Sequence, residues 1–109
     1  MFHPALPSCP GHDVWRRDFS GSNGLVSLVL KDVPKPALAA MLDGMRLFKM
    51  GFSWGGYESL IVPFDPRATR TATRWPHVGP CLRLHCGLEH VDDLLADLAD
   101  GLARLIRPV

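Results

Sequence analysis

Arg83 and the segment 52–57 carry the residue types best suited to binding a ligand. Arg83 lies in the middle of a strand-like run, 81–86, in which leucines occupy alternate positions. A planar guanidinium at such a point can bind a carboxylate through two parallel hydrogen bonds. In the other segment, two adjacent glycines follow Ser53 and Trp54, so bare backbone and polar side chains meet at one turn. Both patterns favour ligand recognition.

Each pattern also has a structural interpretation. Arg83 could form an ion pair, for which Glu89 is a candidate partner after the strand. The glycine pair could belong to a plain chain reversal, with Ser53 as a turn hydroxyl, Trp54 half-buried and Tyr57 at the rim. Spacing alone favours these structural interpretations and leaves the ligand hypothesis open.

Histidines and cysteines in the second half of the chain raise the question of a zinc site. The candidates are His77, Cys81, His85, Cys86 and His90. Because successive residues of a strand point to opposite faces, Cys86 is separated from both Cys81 and His85. No pair has the spacing of a structural zinc site, so no metal site is predicted.

The charge balance gives no indication of a polyanionic partner. The 109 residues include 12 Lys and Arg against 11 Asp and Glu, a net charge of +1, and no strong field attracts nucleic acid or an anionic membrane. We therefore interpret Arg67, Arg70 and Arg74, which precede Trp75, as a solvated loop. With 47% hydrophobic residues, the length suits one domain, 1–109.

Cysteine usage and the shortness of the apolar runs favour the cytoplasm. Cys9, Cys81 and Cys86 are an odd number without CxxC spacing, and no apolar signal segment follows the first four residues. The longest apolar stretch, around 25–30, is too short to span a bilayer. We therefore expect free thiols, no membrane segment and a cytoplasmic location.

The first half of the chain predicts a lead-in, a strand and a helix. Residues 1–24 are rich in proline and glycine and are predicted to be irregular. Residues 25–30 read as a buried strand. A helix is then predicted from the prolines at 34 and 36 to about Phe48, with helical spacing of apolar residues. Its apolar face comprises Leu38, Met41, Leu42, Met45 and Phe48.

The second half predicts two strands and a final helix. The strand 58–62 is expected to stop at Pro63, and a long connection to residue 80 contains at most one helical turn, near Arg67–Thr73. The strand 81–86 directs its leucines to the core. The last helix starts at about His90, with acidic residues early and basic residues late, as suits the helix dipole. These charges are Asp92, Asp93, Asp97, Arg104 and Arg107.

The order strand, helix, strand, strand, helix indicates the fold class. It favours an α+β domain with a small sheet of about three to four mainly antiparallel strands and the helices packed on one face. Within this single domain, residues 25–109 provide the sheet and helices.

Several segments resemble one enzyme family over almost the whole chain. They are His3–Pro7, Trp15–Gly21, Gly24–Leu25, Ser53–Leu60, Leu82–Glu89 and Val91–Leu98. In order and spacing they resemble the C-terminal domain of the cystathionine β-lyases, which are pyridoxal-phosphate enzymes of cysteine and methionine metabolism. The γ-acting members of that family typically have Leu and Ser where this chain has Trp54 and His85. The resemblance implies the small C-terminal domain of a fold-type I aminotransferase-like enzyme.

The resemblance implies roles for three residues. Arg83 would bind the α-carboxylate of an amino-acid substrate, and Ser53 with the backbone of Trp54 would lie beside it. In this family the cofactor lysine and the other pyridoxal-phosphate ligands belong to a larger N-terminal domain. Lys31 and the two other lysines here do not lie in a matching motif. We therefore expect pyridoxal phosphate in full-length relatives, but no catalytic, cofactor-binding or metal-binding residue in this chain.

The leading hypothesis is a substrate-recognition part of a cystathionine β-lyase, which converts cystathionine to homocysteine, pyruvate and ammonia. Such a chain would be inactive alone, so whether it is itself an enzyme stays open. It would need a separate cofactor-binding domain, bind an amino-acid thioether and form a homo-oligomer. One alternative is a non-catalytic remnant or assembly module of the same fold. A weaker alternative is an amino-acid sensor that uses Arg83 as its carboxylate clamp.

Overall fold

The computed structural model describes residues 1–106. In that part of the chain the helices are α1 (His12–Asp18), α2 (Lys35–Asp43) and α3 (Val91–Leu105). The strands are β1 (Leu25–Val29), β2 (Lys49–Met50), β3 (Leu60–Phe64) and β4 (Cys81–His85), and a 3₁₀ turn covers Pro66–Ala68. Arg107, predicted near the end of the last helix, lies outside the described residues.

The strands form one sheet in the order β1-β4-β3-β2. The central strand β4 pairs antiparallel with β1 and with β3, and only the two-residue β2 runs parallel to its neighbour β3. Four of the five β4 residues are buried, as expected for a strand with partners on both sides. The predicted α+β class with a small, mainly antiparallel sheet is confirmed, and β2 is the strand that the sequence pattern missed.

The hydrophobic core lies between one face of this sheet and helices α2 and α3. Leu82 and Leu84 enter it from β4, as strand alternation predicts, and the register places Ile61 of β3 beside Leu84. Met41 from α2 and Leu94 from α3 close the core from the helical side. Burying a side chain of this size contributes about 1.5 to 3 kcal/mol, so this layer fixes the position of β4.

Helix α2 ends earlier than its apolar pattern predicts. The spacing extends it to about Phe48, but the helix stops at Asp43 with Gly44 as its C-cap. The backbone amides of residues 46–48 instead donate to the carboxylate of Asp97 on α3, at 2.9, 2.7 and 3.0 Å. Amides engaged in this way cannot complete helical hydrogen bonds. Phe48 still reaches the core, but from the turn that follows the helix.

Helix α3 begins where the sequence predicts, and its Asp97 has an unexpected role. The sequence groups Asp97 with acidic residues that favour the helix N-terminus, yet it is buried, with only 1% of its surface exposed. Burial raises the pKa of Asp97, while hydrogen bonds from the amides of Arg46, Phe48 and Leu47 lower it by more, so the pKa lies below its ordinary value. Asp97 therefore joins α3 to the turn after α2 as a carboxylate.

Residues 1–24 are more ordered than predicted. An irregular lead-in is expected there, yet the segment contains α1, and Phe2 forms an antiparallel bridge with Ser27. The prolines end before Gly11, which caps α1 in the left-handed conformation with φ of 87°, so no proline ring interrupts the helical turn. The single-domain organisation of residues 1–109 stays a prediction.

Strand β3 continues through Pro63, where the sequence predicts that it stops. Pro63 pairs with Leu82, and the strand runs on to Phe64. On the opposite side of β3, the strand β2 reaches only as far as Ile61. The Lys49 amide donates to the residue 59 carbonyl, and strand alternation directs the nitrogen of residue 63 to this same side. The missing N–H of proline therefore interrupts no ladder.

Candidate functional site

The connection between β2 and β3, residues 51–58, lies against β4, and we call it the glycine loop. Its backbone is held by two side chains of β4 that lie two residues apart and therefore on the same face of the strand. Arg83 Nη2 donates to the carbonyl of Phe52, and His85 Nε2 lies 3.0 Å from the carbonyl oxygen of Gly56. Both side chains project from the face of β4 opposite the core leucines. The alternation of β4 thus assigns one face to packing and the other to the loop.

The end of the glycine loop is held by the turn after β4. The Leu88 amide donates to the Tyr57 carbonyl at 2.9 Å. The buried Ser59 hydroxyl accepts from the Gly87 amide at 2.8 Å and donates to a Glu89 oxygen at 2.7 Å. This hydroxyl donor lowers the pKa of Glu89 below its ordinary value. A Cβ on Gly87 would overlap the Tyr57 carbonyl oxygen, so the close approach requires glycine.

Arg83 retains the capacity to bind a ligand. Its Nη2 is bonded to Phe52, but its buried Nε has no hydrogen-bond partner in the structure. None of the ion pairs between described residues involves Arg83. A buried N–H without a partner is unfavourable. The ligand-binding role of Arg83 stays a prediction.

The alternative ion pair between Arg83 and Glu89 is wrong. None of the ion pairs between described residues joins Arg83 to Glu89. Glu89 is held instead by the Ser59 hydroxyl and amide, at 2.7 and 3.3 Å. Spacing along the chain suggested a pair because Glu89 follows shortly after the strand that carries Arg83, but the fold brings Glu89 to Ser59.

Ser53 and Trp54 lie in the glycine loop directly after the carbonyl that Arg83 binds. Both side chains are exposed, and Trp54 has 63% of its surface accessible rather than being half-buried. Gly55 has a φ of 89°, in the left-handed region, which allows the sharp turn. The structure therefore brings Arg83, Ser53 and Trp54 into one neighbourhood, as the resemblance implies. Their role in binding a substrate stays a prediction.

Sequence reasoning missed the structural importance of His85 and Ser59. The sequence treated His85 only as a zinc candidate and as a marker of one family branch. The available signal was its spacing of two residues from Arg83, because strand alternation places both side chains on the same face. Ser59 gave no such signal, since a serine beside a strand is usually exposed, and only the fold brings it to Glu89.

The glycine-loop site supplies no lysine for a covalent cofactor. Lys31, Lys35 and Lys49 are all exposed, and none bonds to the glycine loop or to Arg83 in the described part of the chain. Residues 1–106 also contain no group of three His, Cys, Asp or Glu side chains that could hold a metal ion. None of the helices within that range is long and apolar enough to cross a membrane.

The arginines of the β3–β4 connection form a separate group. Arg67 binds Asp65 through two hydrogen bonds of 2.9 Å. Arg70 lies over the ring of Trp75 at 4.7 Å and donates to Thr73. Where a helical turn was predicted near Arg67–Thr73, the structure has a three-residue 3₁₀ turn at Pro66–Ala68. These residues lie at the end of β4 remote from His85, and they take no part in the glycine-loop site.

Comparison with known proteins identifies the family. A family model described as Cys/Met metabolism PLP-dependent enzyme matches residues 1–103. Cystathionine beta-lyase of Salmonella typhimurium is 52% identical over 108 residues, which cover 95% of this chain and 27% of that protein. Cystathionine beta-lyase MetC of Escherichia coli is 51% identical over 108 residues, with the same two coverages. The chain thus spans about a quarter of the length of these curated relatives.

A solved structure agrees with this assignment. Cystathionine gamma synthase from Xanthomonas oryzae pv. oryzae, crystallised in complex with cystathionine, is 36% identical and superposes with a TM-score of 0.77, over 94% of this chain and 27% of that one. The resemblance in motifs, the family model, the curated relatives and the solved structure agree: this chain belongs to the PLP-dependent enzymes of cysteine and methionine metabolism.

Proposed function

We propose that this chain forms the substrate-recognition part of a cystathionine β-lyase, which cleaves cystathionine to homocysteine, pyruvate and ammonia. The observation that carries the proposal is the unpartnered Nε of Arg83, next to a loop held through its backbone. An amino-acid carboxylate would accept charge-assisted hydrogen bonds from this guanidinium. The 52% identity to a cystathionine beta-lyase supports the choice of substrate class.

Each residue of the site has a defined part in this proposal. Arg83 binds the α-carboxylate and thereby fixes the orientation of the substrate. Ser53 and the backbone at Trp54 line the same carboxylate, and the exposed indole covers one side of it. Because this chain offers no lysine at the site, pyridoxal phosphate and its chemistry would belong to a companion part of the enzyme, and the complete assembly would be a homo-oligomer.

The dependence on a companion is tested by mixing the purified chain with pyridoxal phosphate and cystathionine. We expect no pyruvate from the chain alone. We expect pyruvate when the chain replaces the matching quarter of the Escherichia coli relative. Pyruvate release from the chain alone would contradict the dependence, and an inactive but folded, cofactor-loaded hybrid would contradict the proposed function.

The role of Arg83 is tested in that hybrid by Arg83→Ala and Arg83→Lys. Removing the guanidinium should raise KM for cystathionine strongly, a loss of about 2 to 4 kcal/mol in transition-state binding. Lysine keeps the charge but not the fork, so its effect should be intermediate. Arg67→Ala is the matched control, because Arg67 is engaged with Asp65 outside the site. An unchanged KM in Arg83→Ala would exclude Arg83 from substrate binding.

A second candidate function is a non-catalytic assembly module. It is favoured by exposed apolar side chains on α3 and at its C-cap, with 62% of Val91, 58% of Leu95 and 80% of Ile106 accessible. Such side chains commonly mark a contact with another protein surface. Light scattering of the purified chain separates the cases: self-association supports an assembly role, and a monodisperse monomer counts against it.

A further inference from the structure

His85 is a buried polar residue on the face of β4 that contacts the glycine loop. The proposed function assigns no role to this residue. Only 7% of its surface is exposed, so the ring cannot contact a substrate directly. Both ring nitrogens face the main chain of the glycine loop. The Gly56 carbonyl oxygen lies 3.0 Å from Nε2, and the Gly55 amide lies 3.2 Å from Nε2 and 3.5 Å from Nδ1.

These contacts join one ring to both backbone groups at the centre of the glycine loop. A proton on Nε2 can be donated to the Gly56 carbonyl, because that oxygen can only accept. The Gly55 amide lies against the same ring, closer to Nε2 than to Nδ1. His85 is therefore the side chain that contacts the main chain of both glycines.

Little else holds the middle of the glycine loop. A Cβ built on Gly55 or on Gly56 would meet no atom within 4 Å, so the turn packs against nothing on its outer side. Gly55 also adopts the left-handed conformation, and glycines carry a large entropy cost when they are ordered. The imidazole thus supplies the contacts that restrict this turn between the anchors at Phe52 and Tyr57.

We propose that His85 is a positioning residue for the carboxylate site, which keeps Ser53 and Trp54 beside Arg83 by holding the backbone of Gly55 and Gly56. The proposal rests on the proposed function for the identity of the ligand. The anchoring of the loop by His85 is a property of the chain alone, so it can be measured without any enzyme activity.

The first experiment measures nuclear magnetic resonance order parameters for the backbone amides of Gly55 and Gly56 in the 109-residue chain. His85→Leu keeps an apolar side chain but removes both nitrogens, and His85→Gln offers one donor and one acceptor. We expect the order parameters to fall from about 0.85 to below about 0.6 in His85→Leu and to recover in His85→Gln. Cys86→Ser, one residue beyond the end of β4, is the matched control.

In this experiment the amides of Ile61 and Leu84 report on the fold. They should keep their order parameters in every variant, because the core on the other face of the sheet is untouched. Unchanged order at Gly55 in His85→Leu would overturn the proposal. An equal loss of order in the loop and in the strands would also overturn it, because His85 would then be a general structural residue.

The second experiment uses the active hybrid and separates KM from kcat. His85→Leu should raise KM for cystathionine about tenfold and leave kcat within about threefold, because the binding geometry loosens while the cofactor chemistry lies elsewhere. His85→Gln should restore most of the loss. An unchanged KM, or an equal fall in kcat, would overturn the positioning role. If the unsubstituted hybrid is inactive, the proposed function fails and the order parameters alone decide whether His85 positions the loop.

Discussion

The turn after α2 and the glycine loop are both held through their backbone by side chains from a distant element, but with different results. In the first, the Asp97 carboxylate accepts from three successive amides and is itself almost fully buried. In the second, Arg83 donates one hydrogen bond to the loop and keeps a buried N–H without a partner. Only the second arrangement leaves bonding capacity for a ligand.

The side chains of the two segments differ in the same way. The turn after α2 buries Phe48 in the core, whereas the glycine loop leaves Phe52, Trp54 and Tyr57 exposed. A structural connection thus satisfies its polar groups and contributes apolar surface to the core. The glycine loop is fixed by its main chain and presents its side chains outward. This contrast makes different predictions for stability and for binding.

The largest effect on stability is expected for Asp97→Asn. The new amide group would direct its own N–H toward backbone donors that now bind a carboxylate oxygen, which should lower the free energy of unfolding by about 3 kcal/mol. Urea denaturation of the chain measures it. Asp93→Asn, an exposed residue on the same helix, is the control and should change little. Equal stability of the two variants would remove the proposed role of Asp97.

The same residue should make stability depend on pH. Because the folded-state pKa of Asp97 is depressed, its contribution is fully present above the ordinary carboxyl range and is lost as pH falls below about 4 through the folded value. The difference in stability between the unsubstituted chain and Asp97→Asn should therefore shrink on acidification. A constant difference from neutral to acidic pH would contradict this assignment.

A smaller loss, about 2 kcal/mol, is expected for Gly87→Ala. The added methyl group overlaps the Tyr57 carbonyl, so the turn after β4 and the glycine loop must separate. Gly56→Ala is the matched control, because its Cβ would meet nothing within 4 Å and its φ is not positive. Thermal unfolding distinguishes them. If both variants unfold at the same temperature, the close approach at Gly87 does not contribute to stability.

For Arg83→Met the expected change in stability is within about 1 kcal/mol and can be favourable, because an unsatisfied buried N–H is removed while the packing of the side chain is kept. Calorimetric unfolding provides the measurement. Loss of substrate binding without loss of stability would sharpen the contrast with Asp97. A large destabilisation would instead make Arg83 a structural residue.

The smallest effect is predicted for Trp54→Phe. The exposed indole makes little contribution to the core, so stability should change by less than about 0.5 kcal/mol. In the hybrid, the loss of binding free energy for cystathionine should exceed the loss of free energy of unfolding. A loss of stability comparable to that of Gly87→Ala would show that the loop side chains are structural.

Local patterns predicted the elements that depend on one periodicity, but not those that depend on distant contacts. Alternation along β4 was sufficient to place Leu82 and Leu84 in the core and Arg83 on the other face. The end of α2 was wrong because its limit is set by Asp97, about fifty positions away in sequence. No periodicity within one segment contains that information.

The site follows the same rule. The motif around Ser53 and the strand position of Arg83 indicated a carboxylate site, and the fold brings them together. The predicted partner of Glu89, Arg83, was wrong. Proximity in sequence does not reveal that the fold brings Ser59 to Glu89. His85 could have been inferred from its spacing, but its hydrogen bonds to Gly56 depend on the path of the loop.

Pro63 has a consequence for the exposed edge of the sheet. Beyond the short β2, the outer side of β3 is an open sheet edge, a place where a second copy could add a strand and begin an ordered aggregate. A residue without an N–H breaks the row of donors that such a strand would require. Pro63 therefore disfavours aggregation through this edge of the sheet.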